Sequence, residues 1–370
     1  MKRILISVCG EGLGHTTRCL AIANKFKIKN KDNKILFLAY GKSKDFIEKN
    51  GYKVKETCPE IRFEGKDGKL SVLEGIKAGV TKVNPFKAVY IEYNTIKRYK
   101  PDLIFTDCKY STAIAALLLQ KDYYLITNQN TFSPKRNDLT PMKLISYFGH
   151  KGLSPFNRKA KKIIIPDLLP PNTVCDYNLK ITKNMAFSGP IIRYNIEKSY
   201  QPIKGDYILS LIGGYEYKSC ILEELIKIGN KKNKKIKIVC SNYKRLFSRL
   251  KKMVKFKEIE IILFVINMED LIKKSSFIVC PGGHSTLMEA ISFGKPVITI
   301  PDLNHPEQEA NSRKVAELGF GILLTHNKLD KLEESIIEME NNQGYFDKAS
   351  ELCELAKNES QNFFKIIKEK

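Results

Sequence analysis

The stretch Cys280-Pro-Gly-Gly-His-Ser-Thr-Leu-Met-Glu289 gathers residue types that together can hold a nucleoside diphosphate. A short apolar strand, Phe277 to Val279, is expected to run into the Gly282-Gly283 turn, which opens onto a helix from about Ser285 to Gly294. Backbone N–H groups at a helix start lack partners and sit at the positive end of the dipole, so they bind phosphate. The two glycines let the backbone approach a ligand closely. Ser285 and Thr286 would add donors beside the phosphates, and Glu289, just over one turn on, can accept from a sugar diol. His284 reads either as a second phosphate contact or as a helix cap. A second strand, Pro296 to Ile300, leads to the polar segment Asn304–Asn311, which brings Glu307 and Gln308 beside the same pocket.

A second constellation is Cys9-Gly-Glu-Gly-Leu-Gly-His-Thr-Thr-Arg18, between the expected first strand and first helix. It lacks the Gly-x-Gly-x-x-Gly spacing of dinucleotide folds, and no Gly-x-x-x-x-Gly-Lys-Ser/Thr loop occurs, which argues against a nucleotide triphosphatase. Strand–turn–helix context puts Gly10, Gly12 and Gly14 at a phosphate-friendly helix start with His15 alongside. Imidazole titrates near neutrality and suits a general base; the alternative is that His15 only braces the loop. Asp107, after the strand Leu103–Thr106, can fix the tautomer of His15 or cap the helix beginning near Ser111. Asn128, Gln129 and Asn130 end the next strand, where amides serve either an acceptor or a turn. Gly213-Gly214-Tyr215 ends the first strand of the second half, and Phe264 and Met268 on their own would read as core.

These residues together resemble the donor-binding signature of GT-B glycosyltransferases that use UDP-sugars, and most closely the MurG-type (family 28) enzymes and their archaeal relatives. MurG-type enzymes add N-acetylglucosamine to a lipid-linked cell-wall precursor. The resemblance implies an α/β chain with two Rossmann-like domains facing across a cleft, and a last helix crossing back onto the first domain. It assigns His15 as the base that deprotonates the acceptor hydroxyl, with Asp107 as its partner. Gly12, Gly14, Asn128, Gln129 and Asn130 fall on the acceptor side, with Asn128 where the family has glutamate. On the donor side fall Gly213, Gly214, Gly282, Gly283, His284, Ser285, Thr286 and Glu289; Tyr215 replaces the usual serine. Val265 would offer backbone groups to uracil between Phe264 and Met268, and Glu307 with Gln308 would hold hydroxyls of the donor sugar. No cofactor is implied, since the UDP-sugar is a co-substrate. The absence of any Asp-x-Asp triplet points to a metal-independent, inverting transferase in which helix dipoles and cations stabilise the leaving diphosphate.

The elements that must position these groups alternate. Strands are expected at Ile4–Val8, Ile35–Ala39, Leu103–Thr106, Tyr124–Thr127 and Ile163–Pro166, with helices at Thr16–Lys27, Lys44–Asn50 and Thr112–Leu119. The pattern restarts at Tyr207–Leu211, which is the mark of parallel sheets covered on both faces. Expected boundaries are 1–193 for the acceptor domain, 194–204 for a linker, 205–345 for the donor domain and 346–370 for the returning helix. With 370 residues and 43% hydrophobic content, two packed cores are affordable. No apolar run approaches the roughly 18 residues of a membrane span. Nine cysteines without a C-x-x-C pair suit reduced thiols and a cytoplasmic setting.

The net charge of +23 is concentrated. Residues 227–257 hold 13 Lys or Arg and no acid, and residues 141–165 hold six among large apolar side chains. The second segment suggests peripheral contact with an anionic membrane face, where a lipid-linked or other glycan precursor, of pseudomurein type for example, would be met. The first reads equally as lysine-rich surface. Few aromatics interleave its bases, which counts against nucleic acid as a partner. Two other functions share most of these features: a UDP-sugar epimerase on the same fold, and a non-catalytic sugar-nucleotide-binding protein.

Overall fold

A computed structural model describes residues 1–10, 13–60, 64–66, 69–71, 83–131, 154–211, 219–303 and 305–368. Gly12, Gly213, Gly214, Tyr215, Asn304 and most of the basic–apolar segment 141–165 lie outside them; residues 154–159 of that segment are helical.

The N-terminal half is a seven-stranded parallel sheet in the order β3-β2-β1-β6-β7-β8-β9. Its strands are β1 (Arg3–Val8), β2 (Lys34–Ala39), β3 (Lys53–Glu56), β6 (Leu103–Asp107), β7 (Tyr124–Ile126), β8 (Lys162–Ile165) and β9 (Met185–Phe187). A two-stranded hairpin of β4 (Glu64–Lys66) and β5 (Lys69–Ser71) stands apart. Runs such as Ile4-Leu-Ile6 and Ile163-Ile-Ile165 are buried on both faces, as parallel strands under helices must be. Helices α1 (Leu13–Lys29), α2 (Gly41–Lys49), α3 (Pro85–Tyr99) and α4 (Tyr110–Leu118) cover them. The register pairs Val8 with Asp107, so the ends of β1 and β6 lie side by side. Cys9 N–H donates to the Asp107 carbonyl at 3.0 Å, which seats the glycine turn directly beside that carboxylate.

The C-terminal half repeats the plan with six parallel strands in the order β12-β11-β10-β13-β14-β15. They are β10 (Tyr207–Leu211), β11 (Ile236–Val239), β12 (Ile259–Ile262), β13 (Ser275–Cys280), β14 (Val297–Thr299) and β15 (Gly321–Leu323). The helices are α5 (Ser219–Lys232), α6 (Lys244–Met253), α7 (Glu269–Lys273), α8 (His284–Ser292), α9 (Pro306–Leu318), α10 (Leu332–Asn341), α11 (Gln343–Glu359) and α12 (Asn362–Lys368).

The tail crosses back, but not as one helix. Helix α11 buries Ala349, Leu352 and Ala356 in the C-terminal core, and only α12 reaches the first sheet. There Phe363 sits against Phe26 and Phe105, with ring centroids 6.1 and 5.9 Å away. The polypeptide also crosses in the other direction. After β8, Leu168 and Val174 bury in the C-terminal core, so part of the sequence expected to serve only the first domain wedges into the second.

The crossing needs Gly189, which has φ +69. A Cβ there would stand 2.5 Å from the Glu359 carbonyl carbon and 2.8 Å from Ser360 N. Gly189→Ala therefore meets both an unfavourable backbone region and rigid main chain, and should cost about 2 kcal/mol or more. The denaturation midpoint should drop, and trypsin should release α12 faster than in the wild type; an unchanged midpoint would mean that the crossing yields at no cost.

Candidate active site

The first turns of α1 and α8 meet at the cleft between the halves. A Cβ on Gly14 would lie 2.9 Å from Ser285 Oγ, so the two helix starts touch and their positive ends share one space. On the N-terminal side, His15 and Arg18 are three residues apart on α1 and so share a face. Both meet Asp107. His15 Nδ1 is 2.8 Å from Asp107 Oδ1, while Arg18 donates through Nε to Oδ2 at 2.8 Å and through Nη2 to Oδ1 at 2.6 Å. Arg18 and Asp107 are 3% and 0% exposed, whereas His15 keeps 27% of its surface open.

Burial alone would push the Asp107 carboxyl up, but the Arg18 guanidinium and then His15 outweigh it and hold the group well below the carboxylate range. Asp107 thus stays ionised, and the tautomer that satisfies it carries hydrogen on Nδ1. That leaves Nε2 as the basic nitrogen. Of the two roles open to Asp107, the cap falls to another residue: Tyr110 N donates to Glu60 Oε2 at 2.9 Å, and Ser111 N donates to Glu60 Oε1.

On the C-terminal side, Gly282 has φ +82, and a Cβ there would strike Ser312 Oγ at 2.4 Å. Asn311 Nδ2 holds the Gly282 carbonyl at 3.1 Å. The N-cap of α8 is Gly283, which leaves the helix start unobstructed by any side-chain cap. His284 is therefore not the cap. It is buried, with Nε2 3.0 Å from Asp167 Oδ2 of the other half and Nδ1 unpartnered. Asp167 is pushed up by burial but brought below its ordinary value by His284 and the Cys175 N–H. Thr286 and Ser285 are half-buried on the first turn of α8. Glu289 lies one turn further, half-buried; burial pushes its carboxyl up to about 7 against the opposing pull of Arg193.

The segment at 264–268 is held from the interdomain linker. Arg193 Nη1 donates to the Ile266 carbonyl at 2.8 Å, and Met268 N donates to Tyr194 Oη at 3.1 Å. Phe264 makes an edge contact with Phe46 of the first half, Val265 packs on the C-terminal core, and Met268 is buried in it. Glu307 accepts from Asn128 Nδ2 at 2.8 Å across the cleft. Its burial is outweighed by His305, His284, His15 and the Asn128 bond, which together bring the carboxyl below its usual value. Asn128 Oδ1 in turn accepts from Arg18 Nη1 at 3.3 Å. Polar contacts therefore run unbroken from His15 through Asp107, Arg18 and Asn128 to Glu307.

Three expected ligands are placed as follows. Gln308 folds onto its own loop, accepting from Asp302 N at 3.0 Å and donating to Asp302 Oδ2 at 3.2 Å. Asn130 spends its amide on the Lys180 backbone at 2.9 and 2.7 Å, a structural tie. Gln129 bonds through its main chain to Thr127, with Nε2 buried and unpartnered. Reasoning from sequence missed Arg18, Asp167 and Arg193. Only Arg18 had a local signal, its i,i+3 spacing from His15.

Two parallel α/β halves with opposed helix starts at a common cleft define a GT-B protein. Residues 209–369 match the family described as glycosyltransferase family 28 C-terminal domain. Uncharacterized glycosyltransferases from Methanosarcina mazei and Methanosarcina acetivorans are each 34% identical over 96% of this chain and 94% of their own length. A Fusobacterium nucleatum protein named UDP-N-acetylglucosamine–N-acetylmuramyl-(pentapeptide) pyrophosphoryl-undecaprenol N-acetylglucosamine transferase is 26% identical over 92% of this chain and 90% of its own. Among solved structures, MurG of Acinetobacter baumannii shares the fold with a TM-score of 0.65 at 17% identity, over 99% of both chains. The chain belongs to glycosyltransferase family 28, the MurG-like group with the GT-B fold.

If ribose hydroxyls donate to Glu289, the ionised carboxylate accepts from them more strongly than the neutral acid. If the nucleotide is UDP, its affinity should then be highest well above pH 7 and weaken as the pH falls through about 7, where the acid form takes over. Glu289→Ala should remove the pH dependence and cost about 1.5–3 kcal/mol of binding. Calorimetric titration between pH 6 and pH 8 reads both effects, and a flat profile in the wild type would take Glu289 out of the nucleotide site.

Proposed function

We propose that the protein is an inverting, metal-independent glycosyltransferase that moves a sugar from a UDP-sugar to a lipid-linked precursor of a cell-surface glycan. The donor proposed is UDP-N-acetylhexosamine, in line with the donor named for the Fusobacterium relative. The reaction would take place at the cytoplasmic face of the membrane; among the described residues no helix is long and apolar enough to cross it. The observation that carries the proposal is the contact of the α1 and α8 starts, with the His15–Asp107 pair on one side and Glu289 on the other.

In the proposed mechanism UDP lies with its diphosphate at the start of α8 and its ribose against Glu289. The acceptor hydroxyl enters beside α1, where His15 Nε2 takes its proton as the oxygen attacks the anomeric carbon from the face opposite UDP. The bond from that carbon to the diphosphate breaks with its electron pair moving to UDP, and the helix dipoles stabilise the charge that develops. The chemistry of the donor sets supports a reaction without metal. Asp107 is already neutralised by Arg18, so its carboxylate is engaged by a guanidinium at 2.6 Å. Asp167 is likewise taken by His284.

UDP release should require both a UDP-sugar and a polyprenyl-linked acceptor, and should survive EDTA. Formation of a second UDP-sugar from the first, without UDP release, would make the protein an epimerase instead. His15→Ala should lower turnover by about 10²–10⁴-fold with little change in UDP affinity. Weakened UDP binding with normal turnover at saturation would make His15 a donor ligand, and the base would have to be sought elsewhere.

A further inference from the structure

The basic run 227–257 divides into two chemically different parts. From Lys227 to Lys237 every cation has a carboxylate. Lys231 and Lys232 reach Glu333 at 3.0 and 3.1 Å, Lys234 reaches Glu340 at 2.5 Å, and Lys237 reaches Glu260 at 3.0 Å. Lys227 and Lys235 are paired in the same way with Glu224 and Asp206. From Lys244 onward the pairing stops. Arg249 alone has an acid, Glu223 at 2.8 Å, and Lys251 lies over the Phe247 ring at 4.7 Å. Among the described residues, Lys244, Arg245, Lys252, Lys255 and Lys257 make no ion pair, and all are exposed. Lys244, Arg245, Ser248, Arg249 and Lys252 line one outward face of α6. Leu246 and Leu250 on the other face are buried.

We propose that this face of α6 docks the enzyme on an anionic lipid bilayer. An exposed strip of mostly unneutralised cations fits a field of lipid phosphates, each well-placed base adding about 1 kcal/mol to attachment. The strip offers no stacking platform for bases: Phe247 lies under Lys251, and Tyr243 is engaged by Lys42 of the first half, whose Nζ donates to its hydroxyl at 3.3 Å. That last contact also fixes where the strip lies. Helix α6 begins where the C-terminal half meets α2 across the cleft, so a bilayer on this face would run past the cleft mouth. The proposal rests on the glycosyl-transfer reading only for what that bilayer carries; docking itself needs neither donor nor acceptor.

Co-sedimentation with vesicles of phosphatidylglycerol and phosphatidylcholine, measured without nucleotide over a range of salt, tests it. Two variants with equal change in net charge are compared: Lys244→Gln/Arg245→Gln/Lys252→Gln on the bare face, and Lys231→Gln/Lys232→Gln/Lys235→Gln among the paired cations. The first should lose vesicle affinity by about a hundredfold and the second by little. Both should keep UDP affinity, which shows that the fold and donor site are intact and separates this test from the transferase proposal. Equal losses in the two variants would mean that diffuse net charge holds the protein to lipid, and no loss in the first would remove α6 from any docking role. Retained vesicle binding together with lost binding to an RNA oligonucleotide would reassign the face to nucleic acid.

Discussion

The buried, ionised Asp107 carboxylate is the constraint around which the acceptor side is built. An anion with no access to water must be met by hydrogen bonds and a cation, or it takes up a proton. Arg18 supplies the cation with both nitrogens of its fork, which fixes the roll of α1 about its axis. Because His15 lies one turn earlier on the same face, the roll that satisfies the carboxylate also presents the imidazole. The position of the His15 imidazole is thus inherited from a buried ion pair. Loss of the acid would leave the Arg18 guanidinium buried without its partner, a change of the kind that commonly costs 3–5 kcal/mol.

That pair reaches beyond its own domain. The nitrogen of Arg18 not used by Asp107 bonds Asn128, whose amide spans the cleft to Glu307. In the opposite sense, Asp167 of the first half takes the ring of His284, the first residue of α8. Asn178, from the same excursion after β8, bonds Asn311, which holds the carbonyl of Gly282. Each side of the cleft therefore has its helix start braced by the other. Two positive helix ends held at a fixed separation are preorganised for an anion, and on the proposed reading they would need no reorientation as charge develops on a leaving diphosphate. The same bracing sets the separation of His15 from the start of α8.

Much of the architecture could be read from local pattern. Buried parallel strands are apolar at nearly every position, and the donor turn is a strand, two glycines and a helix within a dozen residues. What could not be read was pairing over long range. Arg18 and Asp107 are 89 residues apart, and Asp167 and His284 117. No spacing rule relates them, so the two local roles considered for His284 both omitted its actual partner. The bonding of Gln308 was hidden for a different reason. Its motif is intact, but Asp302 offers both a donor and an acceptor at the right separation, and the side chain closes on its own loop. The tail was misjudged because the helical pattern continues through Ser360, where α11 ends and the change of domain occurs. The tie of Asn130 to the Lys180 backbone was equally hidden, because a strand-end amide is as ready to bond backbone as substrate.

Charge shows the same limit of composition. A net +23 suggests a strong and general field, yet most lysines of the 227–237 stretch face acids of α10 and β12 and cancel at short range. In physiological salt the screening length is about 8 Å, so a lysine on a distant face adds nothing to the potential felt by a partner elsewhere. What survives screening is a contiguous set of bare cations. Strand β11 runs beside β12, which carries Glu260, and α5 leans on α10, which carries several more acids; the cations of α6 meet only Glu223 of α5 among the described residues, and Arg249 consumes it. The unneutralised face thus follows from which elements the fold makes neighbours, although the run of lysines in the sequence looks uniform from end to end.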